Sequence, residues 1–243
     1  MADGRLIAIG DVHGCAHALE ALVEAIGPAA DDTLVFLGDM VDQGPETREV
    51  LERIIELKSR CRIVLIEGNH EEMMFAARES LAAFLYWENC GGALTIDSYH
   101  FGGRIDDVSE KHWKLLAECQ PFYETDEFIF THSNYLPDEP MELQPGHELR
   151  WAILDPAEVR PHLSGKTVFV GHTEQREGEV LDLGFVVCLD TACWRYGWLT
   201  AIDARSRETW QASKWGMLRD PGESSHRERL IEVIGASRGK RPA

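Results

Sequence analysis

Three short apolar runs, residues 5–10, 33–38 and 62–67, lead into Gly10-Asp11, Gly38-Asp39 and Gly68-Asn69. Runs this short and this continuously apolar read as strands buried on both faces. Between them the period changes. Leu19, Leu22, Val23 and Ile26 follow i, i+3, i+4, i+7 spacing, Val50, Leu51, Ile54, Ile55 and Leu57 repeat it, and residues 71–86 form a third helical stretch. Alternating strand and helix predicts parallel strands joined by right-handed crossovers. In such sheets, function collects in the loops beyond the carboxyl ends of the strands.

The second half reads as shorter strands over residues 127–131, 167–171, 185–190, 198–203 and 208–212. Residues 135–163, with Pro137, Pro140, Pro145, Pro156 and Pro161, predict a loop-rich segment that could carry a lid or specificity element. The pattern decays after Trp215, so a mobile tail over 219–243 is expected behind a single domain over 1–218. The fold class expected is α/β, with two mixed β-sheets packed on each other and helices outside, a four-layer α/β/β/α sandwich.

The residues where these runs stop are unusual. They are Asp11-Val12-His13-Gly14, Asp39-Met40-Val41-Asp42-Gln43-Gly44, Asn69-His70-Glu71, then His132 after Thr131 and His172 after Gly171. Any one of them is ordinary, since Gly-Asp after a strand is turn chemistry and a lone strand-end His is a hydrogen-bonded imidazole. Together they form a donor set. Asp11 and His13, two apart, share one face of an extended segment. Asp39 from the adjacent strand can bridge two cations, and Asn69, His132 and His172 complete the second site. Oxygen and nitrogen donors without thiolates suit Mn²⁺, Fe or Zn²⁺ rather than a structural zinc.

The order G-D-x-H-G, G-D-x-x-D-x-G, G-N-H-E and two isolated histidines resembles the calcineurin-like metallophosphoesterases, and their phosphoprotein phosphatase branch in particular. That branch includes Ser/Thr protein phosphatases and bacterial diadenosine tetraphosphate hydrolases. The resemblance covers residues 5–213. Asn69-His70-Glu71-Glu72-Met73, Cys188-Leu189-Asp190-Thr191 and Gly197-Trp198-Leu199-Thr200 are similar to the small bacterial members. It implies one divalent ion on Asp11, His13 and Asp39 and a second on Asp39, Asn69, His132 and His172, most often Mn²⁺. It also implies in-line attack by a metal-bridging hydroxide. His70 would be the general acid and Asp42 the carboxylate that holds and polarises it. His70 would point away from Asn69 because successive side chains of an extended segment diverge.

Two positions depart from the family pattern. Most relatives carry Arg after the second Asp of the second motif, where this chain has Gln43. An amide offers two donors but no charged fork for phosphate. The usual W-x-R also fails, since Ile153 follows Trp151 by two. Substitute phosphate ligands would come from Arg150, Arg195, Arg104, Arg160 or Arg176. Ser133, where Ala is common, is a small change. By family analogy the first functional reading is a phosphomonoesterase, acting on substrates such as phosphoserine or phosphothreonine in proteins, although the lost arginine could weaken phosphomonoester binding. The alternative is a nucleotide phosphoanhydride hydrolase of the diadenosine tetraphosphatase type. That enzyme would need aromatic or Arg stacking near the metals, from Trp87, Tyr135, Trp151, Trp194 or Tyr196, each of which could equally be core. A third reading, a non-catalytic phosphate-binding module, rests on Gln43 alone.

Forty-two acidic residues against 24 basic ones give a net charge of -18. Such a chain repels duplex nucleic acid and anionic membranes, and its one basic run is Arg238, Lys240 and Arg241. The expected partner is a phosphorylated protein or small phosphate ester. The apolar stretch Leu6–Ile9 is too short for a signal-peptide core, which predicts a cytoplasmic protein with its six scattered cysteines reduced.

Overall fold

The computed structural model describes residues 4–220. β1 (Leu6–Ile9), β2 (Thr33–Phe36) and β3 (Arg62–Leu65) run parallel, with Ile7 beside Leu34 and Leu34 beside Ile63. A second sheet holds β4 (Phe122–Glu124), β5 (Phe128–Thr131), β6 (Thr167–Val170), β7 (Leu181–Asp182) and β8 (Val186–Cys188) in the order β4-β5-β6-β8-β7. β9 (Leu199–Asp203) returns to the first sheet antiparallel to β1 and pairs with β10 (Thr209–Ala212), giving the order β10-β9-β1-β2-β3. Two mixed five-stranded sheets flanked by helices are thus the architecture expected. Only the edge strands β4 and β7 escaped the sequence, being three and two residues long and so too short to show a period.

Side-chain alternation explains why the sheets stack. Ile7, Ile9, Leu34 and Phe36 face the helices, whereas Leu6, Ala8, Val35 and Leu37 face Phe128, Phe130, Phe169 and Val187 of the second sheet. The far face of that sheet, with Ile129, Val168 and Val186, is covered by Tyr135, Leu149 and Leu154 from the proline-rich segment. That segment is mostly loop, with a 3₁₀ turn at Met141–Leu143 and one short α-helix at Gly146–Trp151.

On the outer face of the first sheet, α1 (Ala16–Ile26) buries Leu19, Leu22, Val23 and Ile26, and α2 (Thr47–Leu57) buries Val50, Leu51, Ile54 and Leu57. The helix expected over 71–86 is broken into α3 (Asn69–Ala76) and α4 (Leu81–Trp87). Ser80 accepts the Ala83 N–H at 3.2 Å and starts a new helix, a competing bond that apolar spacing does not reveal. A π-turn over Glu88–Gly92 then bends the chain into α5 (Ala93–Tyr99). Gly91 sits there at φ 117°, and a Cβ would lie 2.8 Å from the Gln43 nitrogen. Among the described residues no helix is long and apolar enough to cross a membrane. Of the tail expected over 219–243, all but Arg219 and Asp220 lies outside the described residues, and Arg219 donates to Gln211 Oε1 at 2.7 Å.

Phe130 is fully buried between the sheets and stacks on Phe169 at 5.2 Å. Phe130→Ala should cost about 3–5 kcal/mol, read from the shift in the urea unfolding midpoint. A loss below about 1 kcal/mol would mean that the inter-sheet contact is not the principal core.

Candidate metal centre

The loops after β1, β2, β3, β5 and β6 meet at one edge of the sandwich. Val12 and His13 both donate their N–H to the Asp39 carbonyl, at 3.1 and 2.8 Å. His13, Asp39, Asp42, Gln43 and His172 all have left-handed backbones, with φ of 44°, 48°, 68°, 64° and 61°. Non-glycine residues held there are uncommon, and they collect where surrounding structure imposes the conformation. Two local expectations are corrected. Asp11 and His13 do not share a face of an extended segment, because His13 lies in a left-handed turn. Asn69 and His70 are the first residues of α3, so they diverge through helical rotation of about 100° per residue.

The imidazole tautomers follow from their carbonyl partners. His13 Nδ1 lies 3.1 Å from the Val41 oxygen, His132 Nδ1 2.8 Å from that of Leu37, and His172 Nε2 3.2 Å from that of Trp151. A carbonyl only accepts, so these nitrogens carry the hydrogens and the opposite nitrogens of the neutral rings carry lone pairs. Those lone pairs aim inward. His13 Nε2 is 3.5 Å from Asp39 Oδ2, His132 Nε2 is 3.4 Å from Asp39 Oδ1, and both His132 Nε2 and His172 Nδ1 are 3.0 Å from Asn69 Oδ1. Acceptors facing acceptors at such distances are what a cation reconciles. Asp11 accepts the His172 N–H at 3.0 Å on Oδ2, while its buried Oδ1 has no hydrogen-bond partner. The tightest groups are His13, Asp39 and His70, and Asp39, His132 and His172, each with donor atoms within 4.8 Å of one another. Asp39 belongs to both, and Asp11 to neither.

Electrostatics point the same way for His13 and His172, whereas at His132 burial is outweighed by Asp39, which raises the imidazole. Burial pushes His13 down to about 4 and, with His132 beside it, His172 down to about 4, leaving both neutral at pH 7 as metal ligands must be. Burial raises Asp11 well above the usual carboxylate range, with Asp190 and Asp39 adding repulsion. Burial raises Asp190 to about 7. Burial opposes the charge on Asp39 too, but His132, His70 and His13 hold it well below the ordinary value. Beyond burial, the strongest influences on these acids are one another, the backbone, the histidines and, for Asp190, Glu174, a crowding of acids that bound cations would relieve. Asp190 is a further buried acid at this edge, and it too stands where an apolar run, 185–189, stops.

A family profile described as calcineurin-like phosphoesterase matches residues 4–176. The chain belongs to the calcineurin-like phosphoesterases. It is 30% identical over 153 residues to a symmetrical bis(5′-nucleosyl)-tetraphosphatase of Burkholderia pseudomallei (strain 668), covering 62% of this chain and 50% of that protein. The chain therefore spans about half the length of the curated relatives it matches. A crystal structure assigned as a diadenosine tetraphosphatase superposes with a TM-score of 0.67 at 18% identity, over 91% of this chain and 96% of the other. A Saccharomyces cerevisiae protein serine/threonine phosphatase with similarity to human phosphatase PP5 gives 0.58 at 16% identity, over 92% and 83%. These two likenesses concern the fold.

Beside the donor set of this calcineurin-like phosphoesterase stands an acid pair. His70 Nδ1 lies 2.8 Å from Asp42 Oδ2, and Asp42 also accepts Trp87 Nε1–H at 2.8 Å and the Thr95 hydroxyl at 2.7 Å. Burial alone would lower the His70 pKa, but Asp39 and the Asp42 bond outweigh it and push it up to about 9. Trp87, fully buried, is thus a brace for Asp42 and no stacking platform. Tyr135 is also core, and its hydroxyl donates to the Arg160 carbonyl.

The expected phosphate ligands fare differently. Gln43 donates to the Cys90 carbonyl at 2.7 Å. Arg150 is held by Glu72 at 2.6 Å and Glu67 at 3.1 Å, and Ile153 is 65% exposed. Arg104 pairs with Asp106, Arg160 with Asp138 and Arg176 with Glu174. Arg195 pairs with Glu174 at 2.9 Å and lies 4.3 Å over the Trp194 ring, itself 6.5 Å from the His13 ring.

Two measurements follow from this geometry. In metal-free protein the His70 imidazole should titrate near 9 by NMR. Its contribution to stability is therefore present below about pH 6.5 and lost as pH rises through 9. Asp42→Asn should move the titration down and flatten that loss, and an unchanged titration would show that the pair is not its source. Asp39→Asn should lower metal uptake at both sites, measured as bound ions per chain, and retention of two ions would defeat the bridging assignment.

Proposed function

We propose that residues 1–218 act as one catalytic unit, a dinuclear metal-dependent phosphoesterase whose substrate is a nucleotide phosphoanhydride of the diadenosine tetraphosphate type. The observation that carries the catalytic reading is the convergence of lone pairs from His13, Asp39, Asn69, His132 and His172 beside the His70–Asp42 pair. Family analogy alone favours phosphomonoesters, and what supports the nucleotide reading over it is that the relatives matching 62% of this chain are symmetrical bis(5′-nucleosyl)-tetraphosphatases.

In this proposal Asp11, His13 and Asp39 hold one ion, and Asp39, Asn69, His132 and His172 the other, with Asp39 between them. Such ions, when bound, neutralise phosphoryl charge and lower the pKa of water. His70 keeps its proton on Nε2 for the leaving oxygen, while Asp42 accepts from Nδ1 and fixes the ring. Glu71 fixes the Asp39 loop by accepting the Asp39 and Met40 N–H groups, each at 2.8 Å. A retired binding module would have no use for a braced acid pair, which weighs against the third reading.

The test compares Mn²⁺-reconstituted protein on diadenosine tetraphosphate, para-nitrophenyl phosphate and a phosphothreonine peptide. The dinucleotide should exceed the peptide in kcat/KM by at least roughly tenfold, about 1.4 kcal/mol of transition-state preference. A faster peptide would return the protein to the monoesterases, and silence on all three with two ions bound would end the catalytic reading. His70→Asn should slow the peptide by about 10²–10⁴-fold and the dinucleotide less, since a phosphate leaving group needs less protonation than an alkoxide. Equal losses on both would refute the acid role of His70.

A further inference from the structure

Next to the metal loops lies a cavity of about 240 Å³, walled by Cys15, Gln43, Pro45, Trp194, Lys214 and Trp215. Cys15 and Gln43 immediately follow the His13 turn and Asp42, so the floor of the cavity is the rim of the catalytic site. Trp194 closes one side, edge-on to the His13 ring at 6.5 Å. Trp215, 68% exposed, also lines the cavity. An indole that exposed contributes little to the core, while the backbone just after it is held. Gly216 turns at φ 80° against the His17 carbonyl, where a Cβ would come within 3.1 Å, and its N–H donates to Ser213.

The charges around these rings suit an anion with a planar group attached. Lys214 Nζ lies 4.9 Å over the Trp215 ring and 3.3 Å from the Trp194 carbonyl, and Arg195 stacks on Trp194 at 4.3 Å. The His17–Glu46 pair, at 3.1 Å, gives the cavity a polar edge with both donor and acceptor character. Aromatic faces with interleaved cations are how proteins hold a base beside its phosphates. The volume is below the roughly 300–1,000 Å³ of a site for a whole drug-sized ligand, so it fits one ring system and leaves the remainder of a dinucleotide outside.

We propose that this cavity is a nucleobase subsite, in which Trp215 and Trp194 grip one base of the substrate while Lys214 attends its phosphates. The assignment rests on the nucleotide reading above and adds to it the residues that discriminate a nucleotide from a simple phosphate ester. Trp194 is the sole member of the five aromatic candidates from sequence that lines this cavity, and Trp215 joins it from beyond β10.

The test measures binding, so that it stands apart from turnover. Full-length chain in EDTA, where no metal-dependent hydrolysis occurs, is titrated with AMP and with ribose 5-phosphate, which lacks the base. AMP should bind about tenfold tighter, within the range of one base–aromatic stack. Trp215→Ala should erase most of that advantage and Trp215→Phe should restore it, both with wild-type melting temperatures, as expected for so exposed a side chain. Equal affinity for the two ligands in the wild type, or an advantage untouched by Trp215→Ala, would overturn the subsite. If dinucleotide hydrolysis fails with Mn²⁺ while the base advantage and its loss in Trp215→Ala are seen, the nucleotide-hydrolase reading falls and the subsite survives.

Discussion

One buried carboxylate organises the active edge of this fold. Glu71, wholly inaccessible, accepts N–H groups from Asp39 and Met40 after β2 and from Gly68 after β3, at 2.8 to 2.9 Å. Burial, aided by repulsion from Asp39, raises it to about 7, so its charge depends on these donors. Hydrogen bonds to a charged group are each worth about 1.5–3 kcal/mol, enough together to hold Asp39 in a left-handed backbone that a β-strand would not supply. The Asp39 carbonyl then gathers the Val12 and His13 N–H groups. Three loops from three parallel strands are thereby locked to one another before any ligand arrives.

The second sheet contributes its histidines through close approach. His132 reaches across to the Leu37 carbonyl, and the His172 N–H reaches Asp11. Such contact leaves no room for side chains at two places. A Cβ on Gly38 would lie 2.7 Å from His132 Nδ1, and one on Gly171 would lie 2.0 Å from Asp11 Oδ1. The glycines at these strand ends are therefore steric requirements of the donor cluster as much as turn formers. The stacked phenylalanines between the sheets set the separation that makes the approach possible.

The groups proposed here for catalysis and for recognition are built differently. The donors and the His70–Asp42 pair are buried and cross-braced, with Trp87 and Thr95 holding Asp42 from helices absent from the strand–helix core. The groups beyond them, Arg195, Lys214 and Trp215, sit on loops after β8 and β10 and are partly or largely exposed. Rigid placement suits atoms that must meet a reacting phosphorus within fractions of an ångström, while loops tolerate the variation that sets what is attached to it.

The sequence alone determined the strand–helix order, the parallel core of the first sheet, the two-sheet architecture and the residues gathered at the strand ends. It could do so because buried strands and amphipathic helices leave periodic apolar patterns, and because Asp, Asn and His are conspicuous where such runs stop. It missed the break at Ser80, since a capping hydrogen bond competes with helix periodicity without altering it. It also misjudged how Asp11 and His13 are aligned, because left-handed backbone at a non-glycine residue is imposed by distant hydrogen bonds. Only the tertiary structure showed that Arg150 is taken up by Glu67 and Glu72, that Trp87 braces Asp42 while Trp194 faces the site, and that Trp215 joins it from beyond β10. Those are contacts between residues tens of positions apart, and local pattern carries no information about which of several chemically equivalent side chains the packing of two sheets will bring to one edge.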